Sequence, residues 1–420
     1  MSAEGVRIDL LVKGAQLFDG TSFCGPQDVA VSHGQIVAVG QSLSADAAET
    51  VDAKGLILSP GWIDLHTHVD VGRTFWGMDP DSLAWATGVT TWVDAGSAGL
   101  YAVEELSKRV ASLNVHVPLL LHASAIGLAG RAAESENEVH FDIDESVRMA
   151  RKHSQTIRGI KIRLSDYTTG TLGLGPLDIA VEIATQAELP LMVHIGPGID
   201  VTTVLKSLRP GDIVTHAFTP SLLEELDRGP LLDEFERAYR RGVLLDLGHG
   251  SGSFSFAVAE LLLARGIVPQ SFSSDLHLHS RHGVVGTLND VVAKIVSLGV
   301  DLETALAGVT SRPADALRLP QGRIEIGAPA DLALFRQDNE SRLMSDSTGA
   351  LRTIDSTLVN VATYVGGQKL SPVYDDQPPT WIGVSESRRS SLQSHEETIR
   401  QLLVRPYPSF ASRETDNLKD

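Results

Sequence analysis

Between residues 56 and 277 the chain repeats one pattern, in which a short apolar run ends in a polar or ionisable residue. Amphipathic stretches of helical period, such as 103–113 and 231–240, separate several of these runs. Continuous apolar runs are typical of parallel strands buried on both faces, and their alternation with helices indicates repeated βα units. The eight runs are LILSPGWIDLH (56–66), TTWVDAG (90–96), PLLLHAS (118–124), GIKIRLS (159–165), PLMVHIG (190–196), DIVTHAF (212–218), VLLDLGH (243–249) and SFSSDLH (271–277).

The number of repeats favours a closed barrel over an open sheet. Eight strand–helix units are the number that closes a (β/α)8 or TIM barrel. The alternative, an open doubly wound sheet, is expected to carry a glycine-rich GxGxxG turn after its first strand. No such turn stands there, so the sequence predicts an α/β fold built on a TIM barrel.

Both ends of the chain have a different rhythm. Residues 8–40 combine apolar alternation with turn residues, which predicts antiparallel hairpins. Strand-like segments return after residue 320, in GRIEIGAPADLALF and TLVNVATYVGGQ. We expect residues 1–56 and 320–384 to form one small discontinuous β-sandwich domain, residues 57–319 to form the barrel, and residues 385–420 to form a C-terminal helix or arm.

Composition narrows the functional class. Hydrophobic residues make up 42% of the chain and charged residues 21%, as in ordinary globular proteins. The formal net charge of −18 lacks the basic footprint of a nucleic-acid binder and disfavours contact with anionic membranes. The single cysteine, Cys24, excludes an intrachain disulfide and a cysteine-based zinc cluster. With no apparent signal peptide or membrane span, we expect a cytoplasmic protein that acts on a small molecule.

Ionisable residues at the ends of the predicted strands are the candidate chemistry. His66 and His68 follow a hydrophobic strand, and residues at i and i+2 of a strand point to the same side. Two imidazoles placed in this way can converge on one metal ion, for which zinc is a common choice. In a barrel, catalytic groups collect at the C-terminal ends of the strands. Later strands end in four more candidates, which are Lys161, His194, His216 and Asp275.

These residues and their surroundings resemble the amidohydrolase superfamily, in its binuclear-metal branch. The longer strings are similar to a narrower group, the deacetylase metallohydrolases that are often called dihydroorotase-like. The resemblance spans residues 57–335 or so, in matching order and spacing. The matching strings are PGWIDLHTHV, GVTTWVDAGSAG, SAIGLAG, GIKIRLS, MVHIG, VTHAF, DLGHGSGSFSF, SSDLH and GAPADLALF.

The resemblance implies two zinc ions per chain. His66 and His68 would hold the more buried ion together with Asp275. His194 and His216 would hold the more exposed ion. A scaffold that had lost catalysis is expected to lack one or more of these ligand positions, and all are present.

The resemblance also implies the chemistry. Lys161 would be carboxylated by CO₂, which converts its ammonium into an anion with one oxygen for each metal. A hydroxide that bridges the ions would attack the scissile carbonyl, since bound metals lower the pKa of water to about 7. Asp275 would act as the general base and then as the general acid. The expected reaction is hydrolysis of an amide or an activated ester.

Substrate contacts are expected from two arginines. A dihydroorotase proper carries HTHxR, whose arginine binds the substrate carboxylate, whereas this chain has Val69 and Asp70 after its second histidine. Arg73 lies three residues beyond Asp70 and is one candidate for the missing cation. Arg163, on the strand of the candidate lysine ligand, is the other.

Two further histidines are expected at the mouth of the barrel. His249 lies in a glycine-rich loop after the seventh strand, and His277 follows the candidate aspartate on the eighth. The leading interpretation is a deacetylase-like hydrolase of small acylated acids. The alternative is a cyclic amide hydrolase of the hydantoinase or dihydroorotase kind, and a non-catalytic scaffold is a minor one. Barrels of this superfamily usually form homo-oligomers, so we expect one here.

Overall fold

The computed structural model describes residues 7–130, 132–281 and 283–373, and within these ranges the chain forms seventeen strands and twelve α-helices. The strands are β1 (Ile8–Phe18), β2 (Phe23–Ser32), β3 (Gln35–Gly40), β4 (Ala47–Asp52), β5 (Ile57–Pro60), β6 (Trp62–Thr67), β7 (Val89–Ala95), β8 (Leu119–His122), β9 (Ile157–Leu164), β10 (Leu191–Ile195), β11 (Ile213–Thr215), β12 (Leu244–Leu245), β13 (Leu332–Asp338), β14 (Arg342–Ser345), β15 (Leu351–Ile354), β16 (Thr357–Val365) and β17 (Gln368–Lys369). The helices are α1 (Asp81–Thr87), α2 (Val103–Val110), α3 (Ile143–Lys152), α4 (Asp166–Thr169), α5 (Gly175–Ala187), α6 (Val201–Ser207), α7 (Leu223–Asp227), α8 (Pro230–Arg241), α9 (Phe256–Ala264), α10 (Leu288–Ser297), α11 (Leu302–Ala307) and α12 (Ser311–Leu317).

Seven parallel strands form most of the barrel wall, in the spatial order β6-β7-β8-β9-β10-β11-β12. Spatial order therefore equals chain order, as expected when each strand returns through a crossover to pair with the next. Every residue of β7 and of β8 is buried, which matches the continuous apolar runs of the sequence.

The last predicted strand closes the barrel as an extended segment with single bridges. Ser271 bridges Asp246 after β12, and Leu276 bridges Thr67 at the end of β6, both in the parallel sense. The backbone N–H of His68 also donates to the carbonyl of Leu276 at 3.0 Å. The circle is complete, and the predicted α/β fold with a TIM barrel is confirmed.

Helix α8 shows how the outer layer follows from sequence. Pro230 occupies its first turn, where the missing N–H costs nothing, and Gly242 ends it in the left-handed conformation. Leu231, Phe235 and Ala238 form its buried face. Among the described helices none is long and apolar enough to cross a membrane.

One mixed sheet of eight strands unites the two ends of the described chain: seven follow the order β17-β16-β13-β5-β1-β2-β3, and β4 pairs with β1 outside this order. The pairs β1–β2 and β2–β3 are the predicted antiparallel hairpins. Strands β4 and β5 instead run parallel to β1, and they lie one after the other along its second edge. Strand β1 is thus common to two branches of the sheet, and both ends of the chain build the small β domain as predicted.

The apolar run 56–66, which the pattern predicts as one barrel strand, contains two strands. Strand β5 pairs with β1 and β13 of the terminal sheet, whereas β6 begins the barrel. Gly61 separates them, and a Cβ there would lie 2.1 Å from Oγ1 of Thr90 on β7. Residues 57–60 therefore belong to the terminal sheet rather than to the barrel wall. The other domain limits stay a prediction, and residues 374–384 and the arm at 385–420 lie outside the described residues.

A histidine–aspartate pair joins the barrel to the terminal sheet. Nε2 of His116, just before β8, lies 3.0 Å from Oδ2 of the buried Asp331 at the start of β13. The other oxygen of Asp331 accepts the N–H of Gly366 at 2.9 Å. Burial alone would lower the pKa of His116, but pairing with the Asp331 carboxylate outweighs burial and raises the pKa above its usual 6.5.

This pair predicts a pH-dependent contribution to stability. Because the folded-state pKa of His116 is raised, the contribution is fully present below about pH 6.5, the pKa in the unfolded chain, and is lost as pH rises through the folded-state pKa. We expect His116→Gln to lower the melting temperature at pH 5.5 and to change it little at pH 9. Thermal unfolding at both pH values tests this, with the exposed His33→Asn as the control. An equal shift at both pH values would contradict it.

Candidate active site

The three residues predicted to share one ion meet at the C-terminal end of the barrel. His66 is on β6, His68 follows it, and Asp275 ends the closing segment. Oδ1 of Asp275 lies 3.4 Å from Nε2 of each histidine. Their ligand atoms all fall within 4.8 Å of one another. This spacing suits donors that converge on a single cation.

Lys161 reaches the same place from β9. Its side chain is fully buried, and Nζ lies 3.2 Å from Nε2 of His66 and 3.3 Å from Sδ of Met192. A Cβ on Gly96, after β7, would lie 2.6 Å from the stem of Lys161, so the lysine is packed against bare backbone. Burial lowers the pKa of Lys161 to about 7, against the opposing charge of Asp275.

The remaining two predicted histidines complete one cluster. His194 is on β10 and His216 follows β11, with their ring centroids 4.3 Å apart. The ring of His216 lies 5.0 Å from that of His66. The structure therefore brings all six sequence-predicted ligand candidates to one end of the barrel.

Hydrogen bonds fix which ring nitrogens face the cluster. Oγ1 of Thr215 donates to the buried carboxylate of Asp246 at 2.7 Å, so it accepts from Nδ1–H of His66 at 2.8 Å. Nδ1 of His216 lies 2.6 Å from the carbonyl of Gly248, which can only accept. Both rings are thus left with an Nε2 lone pair. Nε2 of His216 is buried without a hydrogen-bond partner among the described residues.

The electrostatics keep these rings neutral. Burial is the largest cause that lowers the pKa of His66, His68 and His194 well below 6.5, and it lowers that of His216 to about 4. Neutral imidazole is the form that binds a metal. Four neutral imidazoles, a carboxylate and a buried amine, with one ring nitrogen unpaired, form a donor set that suits metal binding.

Two buried carboxylates, Asp64 and Asp94, hold the segments that carry the cluster. The sequence pattern did not predict this role. Asp64 accepts from the backbone N–H of Ser274 at 3.0 Å and from its hydroxyl, which ties β6 to the closing segment. Asp94 accepts from the N–H of Val69 and of Ser97. Burial raises the pKa of Asp64 to about 7 and that of Asp94 to about 6. Their only sequence signal is an acidic residue within an apolar strand.

Two members of the cluster have an uncommon backbone conformation. His216 has a φ of 63° and Asp275 has a φ of 50°, both in the left-handed region. Such positions cost about 1 kcal/mol or more and concentrate at functional sites. Gly250, which lies against Asp275, also has a positive φ. A Cβ at this position would lie 2.6 Å from Oδ2 of Asp275, so only glycine fits here. The backbone conformation and this close contact thus restrict the position of the Asp275 carboxylate.

The predicted substrate residues fall into different environments. Arg163, two residues after the buried lysine, is only 8% exposed. Arg73 is paired with Asp70, at 3.1 Å between Nε and Oδ1. His249 is fully buried, where Nε2 faces Nζ of Lys294 on α10 at 2.8 Å. The structure thus places Arg163 beside the cluster, whereas the side chain of His249 is turned inward.

His277 stays near the cluster. Its ring centroid lies 6.3 Å from that of His68 and 4.8 Å from that of Trp76, in an edge-to-face contact with the latter. The N–H of Leu278 donates to the carbonyl of Trp76 at 2.8 Å. The loop after β6 and the segment after Asp275 therefore form one wall of the mouth.

Comparisons with known proteins agree with this geometry. The model of the Amidohydrolase family matches residues 57–370. A deacetylase of Agrobacterium fabrum is 37% identical over 333 residues, which cover 75% of this chain and 79% of that protein.

Two crystal structures are similar over nearly their whole length. One is named a dihydroorotase, with 32% identity and a TM-score of 0.80, and the other is named an adenine deaminase, with 30% identity and a TM-score of 0.82. Each alignment covers 86% of this chain and 99% of the chain in the crystal structure. The chain belongs to the amidohydrolase family and is a hydrolase.

Proposed function

We propose that the protein is a zinc-dependent hydrolase that removes acyl groups, acetyl above all, from small acylated acids. The observation that carries this proposal is the convergence of four neutral histidines, Asp275 and Lys161 at the C-terminal end of one barrel. The similarity to a protein named a deacetylase supports the substrate class. A cytoplasmic location and a homo-oligomeric state remain part of the proposal.

The residues are assigned as the geometry groups them. His66, His68 and Asp275 would hold one ion, and His194 and His216 the other. Two zinc ions, when bound, would polarise the scissile carbonyl and lower the pKa of a water molecule to about 7.

Lys161 would serve as the bridge after carboxylation. Its buried amine has a pKa lowered to about 7, so a large fraction is neutral at physiological pH. The neutral amine attacks CO₂, a new N–C bond forms, and one proton leaves to solvent, which gives a carbamate. The carbamate supplies two anionic oxygens where an ammonium would repel cations.

Asp275 would move the proton. Its carboxylate stands between two ring nitrogens and against the bare backbone of Gly250, so it can accept a proton from the attacking water and deliver it to the leaving nitrogen or oxygen. The amine or alcohol then leaves with that proton, and the acyl group leaves as a carboxylic acid that releases the second proton of the water to solvent and becomes a carboxylate.

A second candidate is a cyclic amide hydrolase, which the similarity to the dihydroorotase-titled structure favours. The residue two positions after His68 argues against a dihydroorotase proper. The arginine expected there is Asp70 in this chain, and its carboxylate is paired with both Arg73 and Arg109 at 3.1 Å. We therefore rank the acyclic substrates first.

A substrate panel separates the two candidates. Zinc- and bicarbonate-loaded protein is assayed on both enantiomers of N-acyl amino acids, O-acyl α-hydroxy acids and cyclic ureides such as hydantoins. We expect hydrolysis of one enantiomer of an acyclic acyl acid. Ring opening with the acyclic compounds untouched would replace the proposal with the cyclic alternative, and metal-bound protein inert on every compound would overturn both.

Removal of the Asp275 carboxylate tests its role in proton transfer. We expect Asp275→Asn to keep most of the metal, because five other candidate ligands remain, and to lose turnover by about 10²–10⁴-fold, the usual contribution of a general acid–base. Metal content by mass spectrometry and kcat are measured together, with the exposed Asp166→Asn as the control. Near-normal turnover in Asp275→Asn would contradict the assignment.

Carboxylation of Lys161 has a spectroscopic test. After loading with zinc and ¹³C-bicarbonate, we expect one carbamate ¹³C resonance that disappears in Lys161→Met together with most of the bound metal. Lys294→Met is the matched control, because Lys294 is also buried and its pKa is also lowered, to about 8. A resonance that survives in Lys161→Met and disappears in Lys294→Met would overturn the assignment.

A further inference from the structure

Three buried polar side chains lie beside the histidine cluster and have no part in metal binding. Arg163 is on β9, His122 ends β8, and Glu134 comes from the long loop that follows β8. Their exposed fractions are 8%, 0% and 2%. His122 pairs in register with Lys161 across the two strands, so the group is adjacent to the proposed metal bridge. We refer to these three residues as the Arg163 pocket.

The hydrogen-bonding capacity of the Arg163 pocket is largely unused. NH1 of Arg163 lies 3.3 Å from Oε1 of Glu134, which is its one ionic partner among the described residues. Neither carboxylate oxygen of Glu134 has a hydrogen-bond partner within the described part of the chain, and neither does Nε2 of His122. Buried groups left in this way are costly, and native proteins keep them where a ligand or water completes them.

The orientation of His122 is fixed by its neighbour. Nδ1 of His122 accepts the backbone N–H of Ser124 at 3.0 Å, so the ring proton is on Nε2. Nε2 of His122 lies 4.0 Å from Oε1 of Glu134, which is too far for a hydrogen bond. Burial, together with the charge of Arg163, lowers the pKa of His122 to about 3, so the ring is a neutral donor. The Arg163 pocket therefore offers the Nε2–H donor of His122 and the guanidinium of Arg163, whose charge is partly offset by Glu134.

The guanidinium also acts on the site itself. After burial, the charges of Lys161 and Arg163 are the causes that lower the pKa of His68. Arg163 likewise lowers the pKa of His194 and of His216. Arg163 also pairs in register with His194 across β9 and β10, so it lies beside one of the proposed ligands.

We propose that the Arg163 pocket binds the carboxylate of the substrate, and that Glu134 positions the Arg163 guanidinium for this contact. The ligand is a small acid whose carboxylate is close to the acylated nitrogen or oxygen. This inference rests on the proposed function, which leaves open how the acid group is recognised. Glu134 pairs with NH1 at 3.3 Å, which leaves the other N–H groups of the guanidinium to bind a second carboxylate. Glu134 is a positioning residue and not a catalytic one.

A binding experiment tests the pocket without turnover. The probes are methanesulfonyl-D-alanine and methanesulfonyl-L-alanine, which cannot be deacylated, and their neutral primary amides. Titration calorimetry on the zinc-loaded protein should show that one carboxylate binds about 10- to 100-fold more tightly than its amide, the range expected for a charge-assisted hydrogen bond. Arg163→Met should reduce this ratio to within about threefold.

Arg158→Met is the matched control, because Arg158 lies at the opposite end of the same strand and loses the same charge. It should keep the wild-type ratio. A wild-type protein that binds acid and amide equally, an Arg163→Met variant that keeps the ratio, or no binding of either acid at 10 mM would each overturn the pocket.

The role of Glu134 has a separate readout. We expect Glu134→Gln to raise KM for the carboxylate substrate found in the panel by about 5- to 20-fold with less than a threefold change in kcat, since the lost ion pair affects orientation and not the reacting atoms. Glu134→Asp should recover part of the loss. Equal decreases in kcat for the acid and its amide, with KM unchanged, would overturn the positioning role.

The outcomes separate this inference from the proposed function. Tight, Arg163-dependent binding of the sulfonyl acid by a protein that hydrolyses nothing would uphold the pocket and reject the hydrolase proposal. Hydrolysis of acyl acids and their neutral amides with equal kcat/KM, unchanged in Arg163→Met, would do the reverse.

Discussion

Closure of the barrel by an irregular segment is the constraint on which the site depends. Residues 271–276 are held by two single bridges and a few backbone hydrogen bonds instead of a full ladder, yet they bring Asp275 beside His66 on β6 and His68 just after it. A regular strand would have placed this residue in extended conformation, but its φ is 50°. Because the segment forms few strand hydrogen bonds, its backbone can adopt this left-handed conformation. The buried Asp64–Ser274 hydrogen bond compensates for the missing strand pairing.

A second constraint is electrostatic. Several ionisable side chains lie close together in a buried region, where a charge is costly. Most of them are neutral there, which avoids that cost. Burial drives the histidines to the uncharged form, and hydrogen bonds to Thr215 and Gly248 choose the tautomer. Arg163 keeps its charge, because a guanidinium does not deprotonate in proteins, and Glu134 supplies partial compensation.

Much of this could be predicted from the sequence, because strand alternation and barrel geometry are periodic. The pair His66 and His68 follows from a spacing of two, and the eight apolar runs gave the barrel. What the pattern could not reveal depends on non-periodic backbone. The break at Gly61 is hidden within one apolar run, and the loop that carries Glu134 has no period. His249 looked like a residue of the mouth, but glycines with positive φ on both sides accompany a turn toward α10.

The position of β5 in the terminal sheet has a consequence for biosynthesis. Strand β5 lies between β1, which precedes it, and β13, which begins only at residue 332. When the ribosome has released residues 8–60, one edge of β5 has no partner, and it stays open until the entire barrel has been translated. At about 5–20 residues per second that interval is roughly a quarter of a minute to a minute. The nascent N-terminal strands thus expose an unpaired strand edge until β13 is synthesised and pairs with β5. An open edge of this kind favours intermolecular strand pairing and chaperone binding.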